Sequence, residues 1–169
     1  MTENPPAQFK EAMAAFPSGV TIMTTVDRRT GEPRGFAASS FCSVSIDPAL
    51  VLVCLAKNAQ CHDAFWDNDD WAVQVAGAHQ LDLITRFSTK GADKFAGGEF
   101  VPDARGVPVL PDASVLLQCT AHMRYDGGDH TILIARVQDV VLREAAPVLY
   151  FQREFRDLDL LTAAAGESR

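Results

Sequence analysis

Cysteine, histidine and clustered basic residues are where chemistry could sit in this chain. Cys61-His62 sets a thiol beside an imidazole. Sequence neighbours seldom form a nucleophile–base pair and no third orienting group is visible, so a cysteine hydrolase is disfavoured. His130 follows the turn Asp126-Gly127-Gly128-Asp129 and opens an apolar stretch. An imidazole there can donate to a carbonyl or an anion, or serve as a structural residue with its hydrogen bonds met. From Cys54 to Cys61 the chain runs Leu55, Ala56, Lys57, Asn58, Ala59, Gln60. Lys57, Asn58 and Gln60 offer donors to a phosphate or an amide-bearing ring, or simply cap the next helix. Arg86, Lys90 and Lys94 are spaced by four and would form a basic stripe on one continuous helix, with Phe87 beside the first. Gly91 interrupts that continuity, and cations that complement a helix C-terminus account for the same residues.

A different signal comes from Gly35-Phe36-Ala37-Ala38-Ser39-Ser40-Phe41. A strand that needed only a core would favour valine or isoleucine here. Small side chains let a ring or phosphate lie against backbone, with the hydroxyls of Ser39 and Ser40 as donors. They equally make room for a crossing neighbour.

The elements that position these residues are mostly strands. Phe9, Met13 and Phe16 recur at helical spacing, so a short amphipathic helix opens the chain, and Pro17-Ser18-Gly19 stops it. Strands are expected over Val20–Val26, Phe36–Ile46, Leu50–Leu55 and Ala72–Ala76. Leu50–Leu55, apolar on both faces, reads as a central strand. Helices are expected at His62–Asp69 and His79–Phe87, with a turn over Ala92–Ala96. Val115 to Met123 alternates apolar and polar, and a tight turn at Asp126–Asp129 sends the chain back through His130–Val141. The Gly- and Pro-containing loop from Gly97 to Pro111 is longer than a plain connection needs, as functional loops often are. Short turns between strands and the absence of βαβ alternation imply a mainly β fold: an antiparallel sheet closed into a barrel with peripheral helices.

With 169 residues the chain reads as one domain, with Thr2 to Pro6 and the tail from about Ala163 onward as loose ends. A net charge of -7 argues against a nucleic-acid partner without excluding a local basic pocket. Neither a secretory signal nor an apolar run long enough to span a bilayer is expected from the sequence. The four cysteines lack zinc-type spacing and suit free thiols in a reducing cytoplasm, with no metal centre. Nucleotide-binding glycine fingerprints are also missing, which disfavours a dinucleotide-binding parallel sheet and a phosphate-binding loop of the NTPase kind.

Five segments in order, FPSGVTIMTT, GFAASSFCSVSIDPALVLVCL, TRFSTKGADKFAGGEF, GDHTILIARV and APVLYFQREF, resemble the short-chain flavin reductases, the reductase components of two-component flavin-dependent monooxygenases. The resemblance runs from about Phe9 to Phe155. ADKFAGGEF is similar to the NADH:flavin oxidoreductases of actinorhodin type. The resemblance implies a split β-barrel of the FMN-binding, Greek-key antiparallel kind, a homodimer, and a flavin groove near the dimer interface. It implies that the backbone of Phe36, Ala37, Ala38, Ser39 and Ser40 packs along the flavin. Cys54, Leu55, Ala56, Gln60 and Cys61 would flank its ring and phosphate, with Arg86 and Phe87 completing the cradle; Lys57 and Lys94 join as cationic candidates. His130, as the catalytic candidate, and the segment Tyr150–Arg153 would line the side where nicotinamide arrives. Relatives commonly carry serine at the position of Cys61, and a thiol is the weaker donor.

The function implied is reduction of FMN, or FAD, by NADH, or NADPH, with reduced flavin diffusing to a separate monooxygenase. The same barrel also supports a flavin-retaining oxidase of the pyridoxamine-phosphate type, or a non-catalytic flavin- or haem-binding module.

Overall fold

The computed structural model describes residues 6–157. In chain order it contains α1 (Pro6–Ala14), β1 (Ser18–Gly19), β2 (Thr21–Val26), β3 (Pro33–Ala38), β4 (Cys42–Ser45) and β5 (Leu50–Ala56). Then follow α2 (His62–Asp67), β6 (Asp70–Val75), a 3₁₀ turn (Ala78–Gln80), α3 (Leu81–Ser88), β7 (Val101–Pro102) and β8 (Pro108–Val109). β9 (Val115–Gly127), β10 (His130–Leu142), β11 (Val148–Phe151) and β12 (Glu154–Asp157) complete it. Of the ends expected to be loose, residues 2–5 and the tail from Ala163 lie outside the described residues, while Pro6 opens α1.

Seven strands form one antiparallel sheet in the order β3-β2-β6-β9-β10-β5-β4. β9 and β10 are its long hairpin: Gly127 pairs with His130, and Gly128 takes φ +80° in the connection. Only glycine adopts that conformation cheaply, which is why the turn sits where the sequence places it. The mainly β, antiparallel expectation holds. Closure is not reached by strand pairing, because β3 and β4 both end the ladder as edges.

Two expectations are corrected. The single strand expected over Phe36–Ile46 is two strands on opposite edges, separated at Ser39–Phe41. Leu50–Leu55 is second from an edge rather than central, with Val51, Val53 and Leu55 buried and their neighbours half-buried. The expected opening helix forms as α1, and among the described residues Phe9, Met13 and the following Phe16 are exposed at 59%, 55% and 70%.

Neighbouring residues on β2 and β3 divide between the two faces of the curved sheet, as the strand period requires. Met23 and Ala38 join Val53, Leu55, Trp71, Leu133 and Phe65 of α2 in one cluster. Ile22 and Ala37 face the other way, under Leu83, Ile84 and Phe87 of α3. The long loop carrying β7 and β8 covers a third cluster, in which Val107 and Val109 meet Ala72 and Leu116. A buried polar network holds that loop down. Gln74 Nε2 donates to Thr24 Oγ1 at 3.0 Å, while its Oε1 accepts from the Leu110 N–H. Polar groups taken from water this completely persist only when paired in this way.

Candidate functional site

A cavity of about 960 Å³ opens between the start of β3 and the end of α3 on one side, and the end of β5 with the start of β10 on the other. Its size lies at the upper end of the roughly 300–1,000 Å³ typical of ligand clefts. Local physics builds each wall. α3 is amphipathic and buries Leu83, Ile84 and Phe87 against β3. Their contact is close enough that a Cβ on Gly35 would lie 2.6 Å from the Met23 carbonyl oxygen and 2.7 Å from Phe87 Cε1. The small residues of the GFAASSF stretch are therefore used in part for a crossing neighbour: Gly35 and Ala37 make room for α3, and Ala38 packs in the core.

Past Ser88 the chain doubles back instead of continuing the helix. Lys94 Nζ donates to the carbonyls of Phe87 at 2.8 Å, Thr89 at 3.0 Å and Arg86 at 3.5 Å. A cation placed on the unpaired carbonyls of a helix end is favourable for both. The rings of Phe87, Phe95 and Phe100 pack around this clasp with centroids 4.9–5.3 Å apart. Arg86, Lys90 and Lys94 thus do not share one helix face.

On the opposite wall, Lys57 N–H donates to the Asp129 carbonyl and ties the turn after β5 to the β9–β10 hairpin. Ser40 Oγ accepts from the Cys54 N–H at 3.0 Å and bridges the end of β3 to β5. His130 pairs its backbone with Ala56, and its Nδ1 lies 2.7 Å from Asp129 Oδ1. That contact is the main cause holding the Asp129 carboxyl below its usual value.

Phe36, Ala37, Cys54, Leu55 and Ala56 line the cavity, together with Gln60, Cys61, Phe87, Lys94 and His130. Other candidates lie elsewhere. Ala38 is in the core, Ser39 is exposed, and Ser40 is engaged with Cys54. Lys57 pairs with Asp126, and Arg86 with Glu99. The Arg86 hydrogen bond is the largest cause holding the Glu99 carboxyl below its ordinary range. Tyr150 packs on Phe155, and Arg153 sits exposed at φ +66° in the turn between β11 and β12.

Burial pushes the Cys61 thiol up to about 11, with Lys94 and Arg34 drawing it partly back. The same burial pushes the Lys94 ammonium down, with Cys61 opposing. His62 turns away from Cys61: its Nε2 meets Thr131 Oγ1 at 2.9 Å. A neutral buried thiol without an imidazole partner is no nucleophile, so the pair is structural.

Sequence reasoning missed Glu32, Arg34 and, apart from Lys90, the loop Ser88–Asp93, which also line the cavity. Arg34 was legible in one respect: it stands two residues before Phe36, hence on the same face of any strand that starts early. The donor set fits a planar anionic ligand, with Arg34, Lys90 and Lys94 as cations, small or apolar wall residues, and one imidazole.

Residues 13–159 match the family model described as flavin reductase like domain. The chain is 48% identical over 159 residues to the actinorhodin polyketide dimerase of Streptomyces coelicolor, covering 94% of this chain and 88% of that protein. It is 39% identical over 153 residues to the NADH:riboflavin 5'-phosphate oxidoreductase of Streptomyces pristinaespiralis, covering 89% and 86%. The crystal structure of nitrilotriacetate monooxygenase component B from Mycobacterium thermoresistibile superposes with a TM-score of 0.84 at 32% identity, over 90% of this chain and 86% of that one.

Proposed function

Because the chain belongs to the flavin reductase family, we propose that it is the reductase component of a two-component monooxygenase, oxidising NADH to reduce a flavin that leaves for a separate oxygenase. FMN is the preferred flavin, with FAD as an alternative, and NADH is preferred over NADPH. The observation that carries this is the solvent-reaching cavity with Arg34, Lys90 and Lys94 on one side and His130 on the other. The same reading makes the protein a cytoplasmic homodimer. The curved sheet becomes a split barrel, with the Ser40–Cys54 bridge joining the flank that strand pairing leaves open.

Bound flavin and NADH supply the hydride chemistry. The chain supplies position and charge. Asp129 takes up His130 Nδ1, so Nε2 is the ring nitrogen left for a ligand in the cavity. An imidazole oriented this way can donate from Nε2 to negative charge as it develops. Phe36, set edge-on to Phe65 at 5.1 Å, and Ala56 give the cavity fixed apolar surface against which a ring can be aligned. A mouth that reaches solvent suits a product that must leave each cycle.

The test is NADH oxidation by purified protein in air, followed by absorbance, with and without added FMN. Oxidation that depends on added flavin is the expected result. Flavin binding without oxidation of NADH or NADPH would instead place the chain among flavin-retaining oxidases or binding modules.

A further inference from the structure

A flavin phosphate needs charged donors, and the structure narrows which residue can supply them. This argument rests on the flavin reading above. Arg86 is bound to Glu99 and does not line the cavity. Ser40 spends its hydroxyl on Cys54. Cys61 is 5% exposed, belongs to the apolar core cluster, and carries a weakly donating thiol. Lys94 lines the cavity, but its ammonium has three N–H donors and already faces three carbonyls of the α3 end. Lys90 is an exposed residue on the loop beyond α3.

Arg34 differs from all of these. It lies within β3, its backbone in register with Thr25, so its origin is fixed by the sheet rather than by a loop. Its side chain is about one-third exposed (34%) and lines the cavity together with Phe36. Its Nη2 contacts Glu32 Oε2 at 2.6 Å and lies 3.9 Å from Asp27 Oδ2. Glu32 is on the cavity rim and 60% exposed, whereas Asp27 is 9% exposed and accepts the Arg29 N–H at 2.9 Å. The guanidinium is therefore shared between a buried carboxylate and an exposed one.

We propose that Arg34 is the residue that recognises the flavin phosphate, exchanging Glu32 for it, and that it supplies the recognition which the thiol at Cys61 cannot. The planar fork of a guanidinium suits a phosphate in two-point contact, and an exposed partner such as Glu32 is displaced at little cost. The charge of Arg34 reaches the neighbourhood of Cys61, where it opposes the upward shift of the thiol alongside Lys94. Phosphate discrimination in this chain then comes from the strand leading into GFAASSF.

The experiment compares FMN with riboflavin, which carries the same ring and no phosphate, by quenching of flavin fluorescence on titration with protein. In the wild type FMN binds more tightly than riboflavin. Arg34→Gln should weaken FMN by about tenfold or more while leaving riboflavin unchanged, since one charge-assisted contact is removed. Arg34→Lys should recover part of the loss. Glu32→Gln frees the guanidinium and should tighten FMN by about twofold to fivefold. Unchanged riboflavin binding shows that each variant is folded. The same FMN-to-riboflavin ratio in wild type and Arg34→Gln overturns the assignment, and weaker FMN binding in Glu32→Gln overturns the exchange. If wild-type protein binds neither flavin, the flavin reading itself fails and the role of Arg34 with it.

Discussion

Gly35→Ala isolates how β3 and α3 are fitted together. Gly35 does not occupy a positive-φ conformation, so alanine is compatible with its backbone. By itself that replacement stabilises a protein by about 0.4–1 kcal/mol, through fewer conformations in the unfolded chain. Against this, the new Cβ would sit 2.6 Å from the Met23 carbonyl oxygen and 2.7 Å from Phe87 Cε1. Phe87 can move only by disturbing Phe95 and Phe100, and the Met23 carbonyl belongs to the adjacent paired strand. Overpacking of this kind costs about 1–3 kcal/mol. The clash wins, for a net loss of about 1–2 kcal/mol, which lowers the melting temperature by roughly 2–8 °C in a domain of this size. Calorimetry or urea unfolding reads the effect directly. Gly35→Ala should cost less in a Phe87→Leu background than in the wild type, because one of the two clashing atoms is removed. A Gly35→Ala protein as stable as the wild type would refute the claim that the small residues here serve the crossing helix.

Gln74→Leu should lose about 2–3 kcal/mol in urea unfolding, because the buried Leu110 N–H loses its acceptor and Thr24 its donor; a neutral effect would show that the network does not anchor the loop. Cys42 should react readily with a thiol reagent in native protein, and Cys61 and Cys119, with thiols pushed by burial to about 11 and about 12, only after unfolding. Both thiols keep their proton in the fold to higher pH than the usual value of 9.0, so the unfolded chain binds fewer protons above that pH and stability should fall as pH rises from about 9 towards 11, the downward shift of the single Lys94 ammonium opposing the two thiols only in part; denaturation midpoints that rise across this window would contradict the burial of both thiols. His130→Ala should slow NADH-dependent flavin reduction by tenfold or more while changing flavin affinity little, and an unchanged rate removes His130 from the site.

The wall from Cys54 to Cys61 was implied by the family resemblance, whereas the amino-acid sequence by itself determined the strand-rich class, the β9–β10 hairpin with its glycine turn and the helix that becomes α3. These follow from signals local to each segment: the period of two, the period near 3.6, and residues that tolerate positive φ. Tertiary structure alone decided the rest. The rhythm of Phe36–Ile46 continues unbroken through Ser39–Phe41, so nothing local announces that the chain leaves one sheet edge for the other. Ala38 and Ala37 are alike in the sequence, yet one meets Leu55 and Trp71 and the other faces α3, because the curved sheet gives its two faces different neighbours. Lys94 was read as part of a stripe and Arg86 as part of a cradle, while folding gives the first to a helix end and the second to Glu99. Arg34 had no motif around it, and its cavity position exists only because β3 begins at Pro33 and α3 packs across it. Local pattern sets which face a residue presents, and long-range pairing sets what that face meets.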